Sequence, residues 1–168
     1  GAVPLSLVAL TVLTAVVVLT SGRVGRWLHA PRWLAALLLF GFALVISATL
    51  VPTAAAFEGQ ASDGVCDLSR IGLASMRELT TINVSSLNVL LFVPLGLAVG
   101  LLPRSRPAAV ATMAAVALTF FVEALQLALP VLGRGCQSAD VIDNLLGLAI
   151  GAAGGLLARP FMRSAASQ

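Results

Sequence analysis

Five apolar stretches constrain this chain more than any other feature of it. They run from Pro4 to Thr20, Trp33 to about Val51, Leu87 to Leu102, Ala108 to Leu129 and about Asp140 to Ala158. A transmembrane helix needs about 20 predominantly apolar residues, within a range of roughly 17–25. In hydrocarbon every backbone polar group must be paired within the protein, so spans of this kind fold as helices. Composition points the same way: 59% of the 168 residues are hydrophobic and 10% are charged, against about 25% charged in a soluble domain. A water-soluble core would lack the polar surface to cover it. The expected fold is all-α, a polytopic membrane helical bundle of about five transmembrane helices, with residues 1–168 forming a single membrane domain. The first stretch has no basic segment ahead of it and is followed by Arg23 and Arg26, so it reads as a retained span rather than a signal peptide.

Arginine placement sets the expected orientation. All ten cations are Arg. Arg23, Arg26, Arg32, Arg104, Arg106, Arg159 and Arg163 fall on one side of the spans, and Arg70, Arg77 and Arg134 on the other. The positive-inside rule puts the richer side in the cytoplasm, with the N-terminus outside and the C-terminus inside. Trp27 and Trp33 flank the first cytoplasmic connection, as interfacial aromatics do. The longest connection, Pro52 to about Ser86, is then external. It carries Glu58, Asp63, Asp67 and Glu78, and its Ser69–Thr81 part has a weak pattern for a short interfacial or re-entrant helix. Cys66 lies in it, and Cys136 lies between the fourth and fifth spans. Both fall outside, where disulfides persist, so a Cys66–Cys136 bridge is expected. It would close a loop of about 70 residues, worth about 4 kcal/mol by chain entropy.

The few acidic residues within the spans are costly. A carboxylate at the centre of a span is disfavoured by about 2.5–3.5 kcal/mol on insertion scales. Glu123 and Gln126 are three apart on the fourth span and share a face. Asp140, Asp143, Asn144 and Gly147 follow one another at spacings of three and four along the fifth. Ser138 or Asp140 is placed to cap that helix. Asp143 lies deeper, beyond the capping positions, and is the stronger candidate for function. Gly147, Gly151 and Gly155 continue at intervals of four, the spacing of close helix–helix contact. Asn88 lies near the outer end of the third span, which also carries Pro94, expected to bend or break it. Arg134, in the loop joining the two acidic helices, is the expected charge partner, since Arg binds carboxylate or phosphate through paired hydrogen bonds. The expected ligand-binding set is therefore Asn88, Glu123, Gln126, Arg134, Asp140, Asp143 and Asn144, all in the outer half of the membrane.

The structural alternatives are concrete. Glu123 would serve as a partner of Arg134 or of a backbone group, Asp140 as a helix cap, and Asn144 as helix–helix glue. His29 is the single histidine and reads as an exposed loop residue on the cytoplasmic side, so a Ser/His/Asp arrangement is absent from the polar set. The basic balance comes from a few membrane-flanking Arg residues and does not indicate nucleic acid.

Three blocks then carry a family resemblance. Asn88-Val-Leu-Leu-Phe92-Val-Pro94-Leu-Gly96, Glu123-Ala-Leu-Gln126, and Arg134 with Ser138-Ala-Asp140-Val-Ile-Asp143-Asn144-Leu-Leu-Gly147 resemble, in order and spacing, the VanZ-like family of integral membrane proteins. The resemblance covers a core of about 87–155, and the Cys66/Cys136 pair is not part of the general pattern. The family is named for a protein that raises resistance to the glycopeptide teicoplanin. The resemblance therefore implies an accessory role in glycopeptide resistance or cell-envelope lipid handling, in a bacterial cytoplasmic membrane. The implied partners are a membrane lipid, a lipid-linked cell-wall precursor or a lipoglycopeptide antibiotic.

Three mechanisms compete. In the first, the polar set binds a lipid headgroup or lipoglycopeptide, Arg134 taking an anionic group and the acids an amine or cation. In the second, a membrane-embedded enzyme acts on a lipid-linked phosphate. Glu123, Asp140 and Asp143 would hold a divalent cation, with Glu123 and Asp143 the candidate catalytic residues. The third, a small lipid transporter, would need polar residues reaching the cytoplasmic side or an inverted repeat, and the sequence shows neither.

Overall fold

A computed structural model describes residues 5–52, 54–57 and 64–165; Glu58 and Asp63 of the long connection lie outside the described residues. Five long helices dominate: α1 (Leu5–Leu28), α2 (Arg32–Thr49), α5 (Val84–Leu101), α6 (Arg106–Ala128) and α7 (Ser138–Ala165). Each is long and apolar enough to cross a membrane. Between α2 and α5 come the short helices α3 (Ala54–Phe57) and α4 (Met76–Thr80) and the strand β1 (Cys66–Asp67). A 3-10 turn at Pro130–Leu132 and the strand β2 (Cys136–Gln137) link α6 to α7. The expected all-α multi-pass bundle is what forms.

Helix boundaries follow local chemistry. Asn83 and Ser86 form a reciprocal cap at the start of α5: the Asn83 side chain accepts the Ser86 N–H and the Ser86 hydroxyl accepts the Asn83 N–H, both at 3.1 Å. Ser75 and Glu78 form the same device on α4, at the C-terminal end of the Ser69–Thr81 stretch, whose sequence pattern is too weak to decide for a helix. Ser105 caps α6. The first span was expected to stop at Thr20, yet α1 continues to Leu28. Ser21 is buried there and its hydroxyl accepts Arg32 Nε at 3.1 Å, while Arg32 Nη2 donates to the Val18 carbonyl at 3.0 Å. Tertiary contact with α2 thus extends the helix through residues whose polarity reads as loop. His29, exposed as expected, makes the reversal at φ 53°. Pro94 does not break α5, which runs unbroken from Val84 to Leu101.

The bundle is built around α5 and α7, which make its most extensive contact. Gly96 and Gly100 of α5 face the main chain of Leu148 and Ala152, and Gly147, Gly151 and Gly155 of α7 face that of Val89, Val93 and Leu97. A methyl group at any of these five glycines would collide with a main-chain carbonyl oxygen. Small residues at four-residue spacing allow such backbone-to-backbone approach in a membrane. On the other side α5 packs against α2, which packs against α1. Phe92, Leu95, Leu38, Val45 and Val122 fill the interior, and α6 closes against α5 and α7.

One end of the bundle holds the His29 turn, the Pro103–Ser105 turn and most of the arginines. There Arg159 reaches from α7 to the Leu102 carbonyl at the end of α5. At the opposite end Cys66 and Cys136 are bridged, and β1 and β2 pair in parallel with Cys66 opposite Cys136 and Asp67 opposite Gln137. The bridge ties the long connection to the α6–α7 loop, and the polar residues collect beside it.

Candidate functional site

The polar site forms where α2 and α6 end, and α5 and α7 begin, at the disulfide end. Glu123 and Gln126 lie one turn apart on α6 and both are buried. Glu123 Oε2 accepts the Gln137 N–H of β2 at 2.9 Å. Gln126 Nε2 donates to the Thr49 carbonyl at the end of α2, at 3.2 Å. Asp140 stands in the first turn of α7, facing the Asn88 amide of α5. Gly133, in the left-handed region at φ 63°, turns the chain out of the 3-10 segment and brings in Arg134. Together these residues, with Asn144, Thr49, Val84, Gly135 and Gln137, line a cavity of about 240 Å³.

Six of the expected ligand-binding residues therefore share one cavity: Asn88, Glu123, Gln126, Arg134, Asp140 and Asn144. Asp143 does not line it. Residues advance 100° per position on a helix, so from Asp140 the side chains at +3 and +4 diverge to either side. Asn144 turns into the cavity. Asp143 turns toward the long connection, where it is fully buried and forms an ion pair with Arg70 at 2.5 Å. Arg70 also donates to the Gly72 carbonyl and to Ser85 Oγ at 3.0 and 3.2 Å. The Ser138 hydroxyl donates to the Arg70 carbonyl at 2.8 Å, so the start of α7 holds the same segment twice.

The charge pairing differs from the one expected. Arg134 was expected to pair with the acids, and among the described residues it forms no ion pair with them; the charge partner is Arg70. Asp143 was favoured over Asp140 as the functional carboxylate; it lies outside the cavity lining in an ion pair with Arg70, and Asp140 lines the cavity. The Arg70 contact has no local signature, because it joins positions 73 apart. One clue was present. Arg70 is four residues past Cys66, as Asp140 is four past Cys136, so the bridge itself brings the two segments together. Thr49 and Gln137 are further wall residues that pattern alone does not mark.

Two buried polar atoms of the cavity residues have no hydrogen-bond partner among the described residues: Arg134 Nε, a donor, and Asn144 Oδ1, an acceptor. Asn144 is 2% exposed. Unpaired buried polar atoms are costly, at about 1–3 kcal/mol each, and are uncommon without a reason. Burial also pulls the Arg134 guanidinium below its usual pKa. Each of the three carboxylates considered as metal ligands has a partner of its own: Glu123 the Gln137 N–H, Asp140 the Asn88 amide, and Asp143 the Arg70 guanidinium. Among the described residues no three His, Cys, Asp or Glu side chains converge as metal ligands.

A second hollow of about 540 Å³ adjoins the cavity, lined by Ala48, Leu87, Leu90 and Leu91. Thr49, Val84, Asn88 and Arg134 line both.

A family model described as VanZ/LLP1 matches residues 7–159, well beyond the core of about 87–155. No curated protein and no solved structure matches the chain.

Proposed function

We propose that this chain, which belongs to the VanZ/LLP1 family, holds the polar head of a lipid in its cavity at the outer face of a bacterial cytoplasmic membrane, and so plays an accessory part in envelope lipid handling or glycopeptide resistance. The observation that carries this reading is that two residues lining one cavity each hold a buried polar atom without a partner among the described residues: the donor Arg134 Nε and the acceptor Asn144 Oδ1. Arg134 suits a phosphate or carboxylate. Glu123, Asp140 and Asn144 suit an amine or hydroxyl groups on the same head. The carboxylates are each held by a separate partner, which favours binding over a metal clamp on a phosphate.

Two independent features support the outward orientation. The arginine-rich end is the cytoplasmic one by the positive-inside rule, and a disulfide belongs to an oxidising compartment. A membrane-impermeant maleimide added to intact cells should label Cys66 and Cys136 only after reduction. Labelling that requires opened cells would reverse the orientation.

Glu123→Gln and Arg134→Gln should each weaken headgroup binding by about 1.5–3 kcal/mol, the worth of a hydrogen bond to a charged group. The same variants should return cells to the teicoplanin susceptibility of a strain lacking the protein, at unchanged membrane levels. Wild-type binding and susceptibility in both variants would reject the reading.

A further inference from the structure

We infer that the hollow between α2 and α5 is a lateral portal, through which an outer-leaflet phospholipid presents its head to the polar cavity while its acyl chain stays in the hydrocarbon. The inference rests on the headgroup reading and adds the route and the chain subsite. The hollow and the cavity share Thr49, Val84, Asn88 and Arg134 as wall residues. Polarity changes along that line. Leu87 and Leu90 on the α5 side are 53% and 62% exposed, as side chains facing lipid are. One step inward stand Asn88 and Arg134, and behind them the buried Glu123 and Asn144. This apolar-to-polar sequence matches an amphiphile lying across the junction, with its phosphate at Arg134.

Energetics favour this route over the aqueous end. A lipid entering from water would first withdraw its chain from the bilayer, at about 0.8 kcal/mol per methylene. For a long chain that cost exceeds what one cavity returns. Within hydrocarbon the chain gains little by moving against Leu side chains, because lipid tails are as apolar as they are. The hollow therefore confers access and geometry. Filling it should exclude chain-bearing lipids without touching the headgroup site.

The test uses the purified full-length chain in maltoside micelles and two probes: palmitoyl-lysophosphatidylethanolamine, and water-soluble glycerophosphoethanolamine. Ala48→Trp fills the hollow from α2. Leu87→Trp does so from an exposed position on α5. Overpacking penalties of about 1–3 kcal/mol correspond to roughly 5- to 150-fold in affinity. Each variant is expected to bind the lysolipid about tenfold or more weakly, and the glycerophosphoethanolamine as wild type does, which also reports an intact fold. If both variants bind the lysolipid like wild type, the portal is refuted and the headgroup reading stands. If wild type binds neither probe, the headgroup reading fails and the portal with it. Equal losses for both probes in both variants would also overturn the portal, since the hollow would then not be separable from the cavity.

Discussion

Gly151→Ala is expected to unfold or part-unfold the bundle, whereas Gly154→Ala, three positions along the same helix, is expected to be harmless. Intrinsic propensity alone predicts a gain for both, because Ala is better than Gly in a helix by about 1 kcal/mol. Packing decides. A Cβ at Gly151 would run into the Val93 carbonyl and lie 2.7 Å from the Leu97 nitrogen. These are main-chain atoms, which cannot rotate away as a side chain would. Relief requires α5 and α7 to separate along the whole seam, including Gly96, Gly100, Gly147 and Gly155. Overpacking by a methylene typically costs about 1–3 kcal/mol where side chains can adjust; against backbone the upper end or more is expected. At Gly154 the same methyl meets only Leu97 Cδ1, at 3.9 Å. Thermal unfolding in one detergent should place Gly151→Ala far below wild type and Gly154→Ala at or above it. Equal midpoints would mean that the seam is not the core of the fold.

Arg70→Gln should destabilise the protein more than Asp143→Asn. Asp143 is fully buried, with one carboxylate oxygen on Arg70 and the other without a partner among the described residues. Removing Arg70 strands a buried charge, at about 3–5 kcal/mol. Removing the carboxylate leaves an Arg whose side chain is 27% exposed and keeps Gly72 and Ser85 as acceptors. That loss should be about 1–2 kcal/mol, the net worth of an ordinary hydrogen bond with modest solvent relief. The double variant, with neutral amides facing each other, should lie above Arg70→Gln alone. Calorimetry on the four proteins measures the order directly. An Asp143→Asn loss exceeding that of Arg70→Gln would show that the burial is asymmetric in the other sense.

The Arg70 prediction concerns a residue that helical periodicity does not mark, and the reason is physical. Glu123 with Gln126, and Gly147 with Gly151 and Gly155, are legible because helical periodicity turns sequence spacing into spatial direction. The disulfide is legible because two cysteines on one side of the membrane leave a single pairing. Arg70 sits in an irregular connection, where spacing carries no direction. Its partner lies across the fold, and the alternative, Arg134, is nearer in sequence and equally cationic. The same limit applies to Asp140 and Asp143. A spacing of three or four places two residues on roughly one face, but neighbours 100° apart on a helix are sorted into cavity or ion pair only by what packs on each side.

Length of apolar run and placement of arginine were enough to specify a bundle of membrane helices, because a lipid solvent leaves an unpaired backbone no other refuge. The spacing of small residues was enough to mark which face of the last helix would be buried deepest. What awaited the folded chain was the division of labour among its charges. Asp143 went into an ion pair with Arg70, Asp140 and Glu123 became cavity wall, and Arg134 kept a buried donor atom without a partner among the described residues. Charge pairing depends on distance and on exclusion of solvent. Both are properties of the packed bundle, and neither exists along the chain before α5, α6 and α7 have come together.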